Sequence, residues 1–325
     1  MISAMTNSQD KISIALCTYN GGLFLARQLA SFQQQTVLPF ELVICDDCSS
    51  DNTLEIVHDF AASALFPVRI YRNEHNLGFV ANFERAIGLC QGDLIALSDQ
   101  DDIWYPTRLE QAQQAFAAHP EVGLVFSDAD IIDDQDELTG KRLWVNFGFA
   151  GEVKERLLAG DYTVLARNRF VTGATVMFRS RLRASCLPFG AGWLHDAWLA
   201  PTAAAVADVL PIESPLIRYR VHTSQQVGLS PQPGFLERQR RHWSELSRQI
   251  GMLEEICSRL SKAPLSQKGE ILYSRYRAHL RFARFRLALP RRRLGRLNAM
   301  RKEYASYNAC GSGILSMATD LVLSK

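Results

Sequence analysis

The chain has 325 residues, with 36 Lys and Arg against 34 Asp and Glu, 47% hydrophobic residues and 22% charged ones. This is the composition of a folded globular protein; it excludes a disordered or coiled-coil-only chain, and the length allows two domains or one large domain with an appendage. The longest uncharged apolar run, residues 197–207, is about half of what a spanning helix needs and contains Pro201, so no transmembrane segment is expected.

Residues 1–10 lack the basic-then-apolar order of a signal peptide. The 7 cysteines are odd in number and scattered, as reduced thiols are, and the expectation is a cytoplasmic chain. The near-neutral total hides a split at Gly234: residues 1–234 carry 17 basic and 27 acidic side chains, a balance of −10, and residues 235–310 carry 18 and 6, a balance of +12. Such asymmetry points the basic segment towards an anionic partner, nucleic acid or the anionic leaflet of a membrane.

In chain order, residues 12–18 read as a strand ended by Asn20, Gly21 and Gly22, and residues 23–33 follow helical periodicity. Residues 41–45 make a second strand that runs into Asp46 and Asp47, and a helix over 53–62 is capped by that polar cluster. A strand at 68–71, a helix at 79–90, a strand at 93–97, a helix at 109–118 and a strand at 122–126 continue the alternation. This βαβα order predicts a parallel sheet with helices on both faces and ligands outside the carboxyl ends of the strands, where the acidic clusters stand. Residues 131–151 read as loop and peripheral strand, 171–178 and 216–221 as strands, and 196–207 as a helix. Proline and glycine at 230–234 mark a domain boundary, giving domains 1–234 and 235–325. Beyond it, Trp243, Leu246, Ile250, Leu253, Cys257 and Leu260 form an a/d seam, and a helix over 268–289 is expected to fold back on it.

Asp99, Asp101 and Asp102 at a strand end repel one another unless a cation sits among them. All-oxygen ligands suit Mg2+ or Mn2+ shared with substrate phosphates, which points to a diphosphate-bearing substrate; the structural alternative is a solvated, helix-capping loop. Asp46 and Asp47 have the same alternative, an N-cap for the helix at 53. Cys45 and Cys48 have C-x-x-C spacing, but no second pair completes a zinc site and no helix opens directly on them. Neither a G-x-G-x-x-G nor a P-loop is present.

The runs IALCTYN at 14–20, VICDDCSSDNT at 43–53, NLG at 76–78 and LSDQDDIW at 97–104 resemble, in order and spacing, the family 2 glycosyltransferases of GT-A fold. The SDQDDIW form resembles the branch that builds bacterial surface polysaccharides, often labelled rhamnosyltransferase. The resemblance covers residues 11–225 and implies an α/β GT-A domain followed by a C-terminal helical extension. It implies that Thr18, Tyr19 and Asp47 hold the nucleotide base, that Asn76, Gly78 and Asn82 line the donor pocket, and that Asp99 and Asp101 are the D-x-D pair facing ribose, metal and diphosphate. It places Asp196 of the His195-Asp196 pair as catalytic base, with His195 where such enzymes have Glu. His222 is a candidate third metal ligand, with a surface imidazole as the alternative, and Arg220 a candidate phosphate contact.

The resemblance thus implies a metal-dependent inverting transferase at the inner face of the cytoplasmic membrane. It would take deoxythymidine diphosphate-rhamnose or a uridine diphosphate hexose and pass the sugar to an oligosaccharide or lipid-linked acceptor. The basic tail, with Arg275, Arg277, Arg281, Arg284, Arg286 and Arg291–Arg293, would then rest on anionic lipid, pack on the catalytic domain or join a second subunit; nucleic acid is not expected. Two alternatives from other classes are a noncatalytic nucleotide-sugar or polysaccharide binding module and a sugar nucleotidylyltransferase. The run QRRHW at 239–243 resembles the Q-x-x-R-W signature of processive synthases, but His242 stands where Arg belongs, and the run reads as part of the helix seam.

Overall fold

The computed structural model describes residues 10–166, 168–223, 235–290, 293–311 and 313–322. The proline and glycine boundary at 230–234, residues Arg291 and Arg292, and the side chains of residues 235–242, 293, 314, 315 and 322 lie outside the described part.

The alternation read from the sequence is present. Strand β1 (Ile12–Thr18) leads to α1 (Leu25–Gln33), β2 (Glu41–Asp46) to α2 (Thr53–Ser63), β3 (Val68–Arg72) to α3 (Phe79–Leu89), and β4 (Leu94–Ser98) through the short β5 (Ile103–Trp104) to α4 (Arg108–Ala118). Then come β6 (Val122–Ile132), β7 (Leu138–Arg142), the short helices α5 (Leu143–Asn146) and α6 (Gly151–Leu158), β8 (Val176–Arg179), α7 (Arg183–Cys186), α8 (His195–Val206) and β9 (Asp208–Arg220). Five helices follow: α9 (Phe235–Leu260), α10 (Gln267–Leu287), α11 (Arg293–Lys302), α12 (Tyr304–Cys310) and α13 (Ile314–Val322).

The sheet runs β3-β2-β1-β4-β8-β6-β9-β5, and β7 pairs with the carboxyl end of β6, beyond the β6 residues that pair with β8. It is mixed, not purely parallel: β3, β2, β1 and β4 are parallel, but β8 pairs antiparallel with both β4 and β6. Every residue of β1, β2 and β4 is buried, the mark of strands covered on both faces. Successive residues feed opposite cores: Ala15 and Cys17 join one cluster, Ile14 and Leu16 the other. Strand order reverses between β1 and β4, so a crevice opens between their carboxyl ends at Thr18 and Ser98.

Three expectations need correction. The segment 131–151 contributes a peripheral strand, but Leu143, Trp144 and Phe149 are buried core residues; Trp144 and Phe149 pack edge to face at 4.8 Å. The strand expected at 171–178 begins only at Val176, after a 3-10 turn at Gly173–Thr175, and the strand expected at 216–221 starts at Asp208.

Of the apolar seam of α9, Leu246, Ile250, Leu253, Cys257 and Leu260 are buried and Trp243 is half-buried, and with the neighbouring Ile256 they pack in the same core cluster as Phe83 and Trp198. Helix α10 adds Leu272 and Tyr276 to that cluster. Trp198 on α8 is fully buried, donates from Nε1 to the Cys186 carbonyl at 2.7 Å and lies under the Arg259 guanidinium of α9. Lys268 of α10 pairs with Asp208 at 2.7 Å. A smaller cluster of Phe282, Leu289, Met300 and Tyr307 holds the last helices. Because one core spans sheet and helices, Ile256→Ala is expected to cost about 2–5 kcal/mol and to lower the midpoint of a single cooperative urea transition. Two resolved transitions, with only one of them shifted, would contradict this.

Candidate functional site

A cleft of about 510 Å3 lies at the strand-order reversal, lined among others by Thr18, Tyr19, Asp47, Asn82, Asp99, Asp101, His195, Asp196 and His222. The end of β1 forms one side. Thr18 donates its hydroxyl to Asp46 Oδ1 at 2.9 Å, and Ser49 N donates to Oδ2 at 2.9 Å, so Asp46 is consumed in closing the turn after β2. Cys48 sits in that turn with φ 67°, the left-handed region that side chains rarely adopt. The turn thus demands the conformation, and the C-x-x-C spacing is incidental: Cys45 is fully buried, and burial pushes its thiol up to about 11.

Asp47 faces the cleft but is also an anchor. Asn73 Nδ2 and the Leu77 amide donate to its Oδ1 at 2.6 and 2.7 Å, and the Gly78 amide to its Oδ2 at 2.9 Å. Gly78 has φ 83° and begins α3, so the loop 73–78 reaches Asp47 through a backbone that favours glycine. Asn76 and Gly78 are not among the residues lining the cleft; they reach Asp47, which does line it. Asn82 does line it, with its amide donating to the Cys45 carbonyl at 2.8 Å.

Sequence reasoning gave no role to Gln100. The Tyr19 amide donates to its Oε1 at 2.8 Å and its Nε2 donates back to the Tyr19 carbonyl at 3.1 Å. This clamp locks the loop after β1 to the acidic loop after β4 and leaves the Tyr19 ring 36% exposed at the cleft. A Gln between two carboxylates of one motif was the available signal.

Beyond β4, Asp99 and Asp101 line the cleft while Asp102 is buried and accepts the Arg220 amide at 2.9 Å. Burial, then the charges of Asp101 and Asp196, push the Asp99 carboxyl up to about 8. Burial also raises Asp102 well above the carboxylate range. Beneath them Arg108 is buried, 3.6 Å above the Trp104 ring, and its guanidinium donates to the Leu97 carbonyl at 3.1 Å. Burial lowers Arg108 to about 9 against the pull of Asp102 and Asp99. No sequence pattern marks this counter-charge, because a helix-start Arg is ordinarily a surface residue.

His222, just past β9, places Nε2 2.9 Å from Asp101 Oδ2 and its ring 4.9 Å from that of Phe24. Arg220 differs from the expectation. It is fully buried and absent from the cleft wall, its Nε donating to the Asp101 carbonyl at 2.6 Å, one Nη to the Asp133 carbonyl at 2.8 Å and the other pairing with Asp136 at 2.5 Å. It holds the acidic loop against β9 instead of reaching a phosphate. Among the described residues, no group of three or more His, Cys, Asp or Glu side chains is placed to hold an ion alone. The available pair, Asp101 and His222 beside an acidic Asp99, suits a hard cation that keeps waters and takes its other ligands from substrate phosphates.

Asp196 lies in the first turn of α8, with the Ala197 amide donating to Oδ1 at 2.6 Å and the Gly173 amide to Oδ2 at 3.2 Å. These two amides fix the carboxylate at the cleft. His195 is 7% exposed, stacked on Phe83 at 4.3 Å and flanked by Phe79 and Phe189. Neither ring nitrogen has a hydrogen-bond partner, and burial lowers its pKa below the ordinary 6.5 despite the nearby Asp196. A base whose folded pKa is depressed costs stability as pH falls through its unfolded value. The melting temperature of the wild type is therefore expected to fall between pH 7 and 5 more steeply than that of His195→Leu; parallel curves would contradict a buried neutral imidazole.

The profile of the family described as "Glycosyl transferase family 2" matches residues 13–179, just over half of the chain. A 137-residue stretch is 31% identical to Bacillus subtilis EpsE, named as a glycosyltransferase, covering 42% of this chain and 49% of that one. A 130-residue stretch is 30% identical to the Escherichia coli UDP-Glc:alpha-D-GlcNAc-diphosphoundecaprenol beta-1,3-glucosyltransferase WfgD, covering 40% and 49%. The chain thus spans about half the length of these curated relatives. Among solved structures, Staphylococcus aureus TarS 1-349 in complex with UDP-GlcNAc aligns with TM-score 0.60 at 16% identity over 96% of this chain and 88% of that one. The mannosyltransferase PcManGT of Pyrobaculum calidifontis in complex with GDP-Man and Mn2+ aligns with TM-score 0.52 at 15% identity over 98% and 82%. The fold is GT-A-like, and the likeness spans the helical extension as well as the sheet.

Proposed function

We propose that this chain, which belongs to glycosyl transferase family 2, moves a sugar from a nucleoside diphosphate donor to a saccharide acceptor with inversion at the anomeric carbon. The observation that carries the reading is the Asp101–His222 pair and the Asp196 carboxylate facing one cleft at the strand-order reversal. In this reading the base and ribose lie on Thr18, the exposed Tyr19 ring, Asp47 and Asp99. Asp101 and His222, with Asp99, would hold Mg2+ or Mn2+, which would supply positive charge against the departing diphosphate.

Asp196 takes the proton of the acceptor hydroxyl as its oxygen attacks the anomeric carbon. The bond to the diphosphate oxygen breaks in the same step and its electron pair leaves with the nucleotide. The amides of Gly173 and Ala197 keep the carboxylate aimed. The raised pKa of Asp99 fits the same picture, since a carboxyl crowded by like charges is the group a cation relieves.

A uridine diphosphate sugar is the donor this reading favours, because WfgD and the TarS complex both carry one in their names; deoxythymidine diphosphate-rhamnose is the competitor. The acceptor, by analogy with WfgD, is a lipid-linked saccharide of bacterial surface polysaccharide assembly. Among the described residues no helix is long and apolar enough to cross a membrane. The proposed lipid contact therefore falls to the exposed Arg277, Arg281, Arg284, Leu294 and Arg301 at the inner face of the cytoplasmic membrane.

Calorimetry with a panel of nucleotide sugars, with and without Mn2+, tests the reading. One donor is expected to bind in a metal-dependent way, and Asp101→Ala to weaken it about tenfold or more and abolish transfer. Asp196→Asn is expected to keep donor affinity and lose about 10²- to 10⁴-fold in turnover. Full transfer by either variant would remove the role given to that residue, and no binding of any donor would favour a noncatalytic pocket.

A further inference from the structure

A second cavity, of about 240 Å3, lies between α8, α9, α10 and residues Leu165, Ala166, Asn168, Arg169 and Val171. It meets the donor cleft at Arg169 and Asp196, which line both. Part of its wall is apolar, from Ala200, Met252 and Leu253; the rest carries Glu245, Arg248 and Gln249 of α9. The Trp193 indole donates to the Met252 carbonyl at 3.2 Å, fixing α9 to the loop that precedes Asp196. Glu245 and Arg248 pair through contacts of 2.5 and 3.0 Å, yet both remain more than half exposed and open to a ligand.

We propose that this chamber is the acceptor site and that it binds a saccharide residue, its hydroxyls taken by Arg169, Glu245, Arg248 and Gln249 and its C–H face by Ala200, Met252 and Leu253. The inference rests on the transferase reading above. If the nucleotide sugar fills the larger cleft, the acceptor oxygen comes to Asp196 from beside it, and the chamber is a cavity that shares that carboxylate. A carboxylate beside a guanidinium offers acceptors and donors at fixed spacing, as sugar hydroxyls require, and the mixed wall matches the two faces of a pyranose. Helices α9 and α10, like Asp196 and His222, lie outside residues 13–179 matched by the family profile, and the chamber's Glu245, Arg248 and Gln249 come from α9.

The test is saturation-transfer NMR of a panel of methyl glycosides of glucose, galactose, mannose, rhamnose and N-acetylglucosamine, with and without UDP. Wild type is compared with Arg248→Ala and with Gln249→Trp, which fills the chamber; both residues are exposed on α9, and melting temperature and UDP affinity monitor folding. At least one glycoside is expected to give a wild-type signal that falls about tenfold in both variants while UDP affinity stays within about twofold. An undiminished signal in both variants, no signal from any glycoside with wild type, or a parallel loss of UDP affinity would overturn the assignment, the last by making the chamber part of the donor site. Absence of UDP binding to wild type would instead strike the donor reading, and the glycoside signal without UDP would still judge the chamber.

Discussion

The carboxylates at the end of β4 bring more negative charge together than the protein around them neutralises. Asp99 is crowded by Asp101 and by Asp196 across the cleft, and Asp102 is buried behind them. Arg108 lies beneath, itself held below its ordinary basicity by burial. Arg220, another cation close by, places its guanidinium on the Asp101 and Asp133 carbonyls and on Asp136. The loop is thus positioned by Arg220 and Gln100, and the crowding shows in the raised pKa values of Asp99 and Asp102. Such a site is prepared for a cation and a diphosphate, and folding bears the cost of that preparation.

The rest of the fold makes this arrangement possible. The four parallel strands bring Thr18, Asp47 and the acidic loop to one edge, and the reversal of order between β1 and β4 opens the crevice. Asp196 comes from the far side, on α8, which is packed into a core that α9 and α10 complete. The extension is therefore part of the wall that sets Asp196 in place. Its basic outer residues are left for whatever surface the enzyme meets.

Much of this is legible in the amino-acid sequence. The alternation of strands and helices, the acidic residues at strand ends and the helix opening at Asp196 follow from periodicity and turn chemistry that act within a few residues. What is not legible depends on long-range packing. β8 has the composition of any buried strand, and nothing local says that it runs antiparallel between β4 and β6. Asn76 and Gly78 are pocket candidates through the resemblance of the NLG run, and only the folded chain shows them hydrogen-bonded to Asp47. Arg220 follows a strand end near the acidic loop, and only the turn carrying Asp133 and Asp136 shows why its charge faces inward. Arg108 and the shared core of α8 and α9 leave no mark in any short motif.

The central claim is that the acidic loop and His222 receive a cation together with the donor diphosphate. Anomalous scattering from a crystal grown with Mn2+ and UDP tests it most directly. The account expects one Mn2+ peak in contact with Asp101, His222 and the diphosphate, on the Asp99 side of the cleft. A diphosphate bound without metal there, or a Mn2+ peak away from Asp101 and His222, would contradict it.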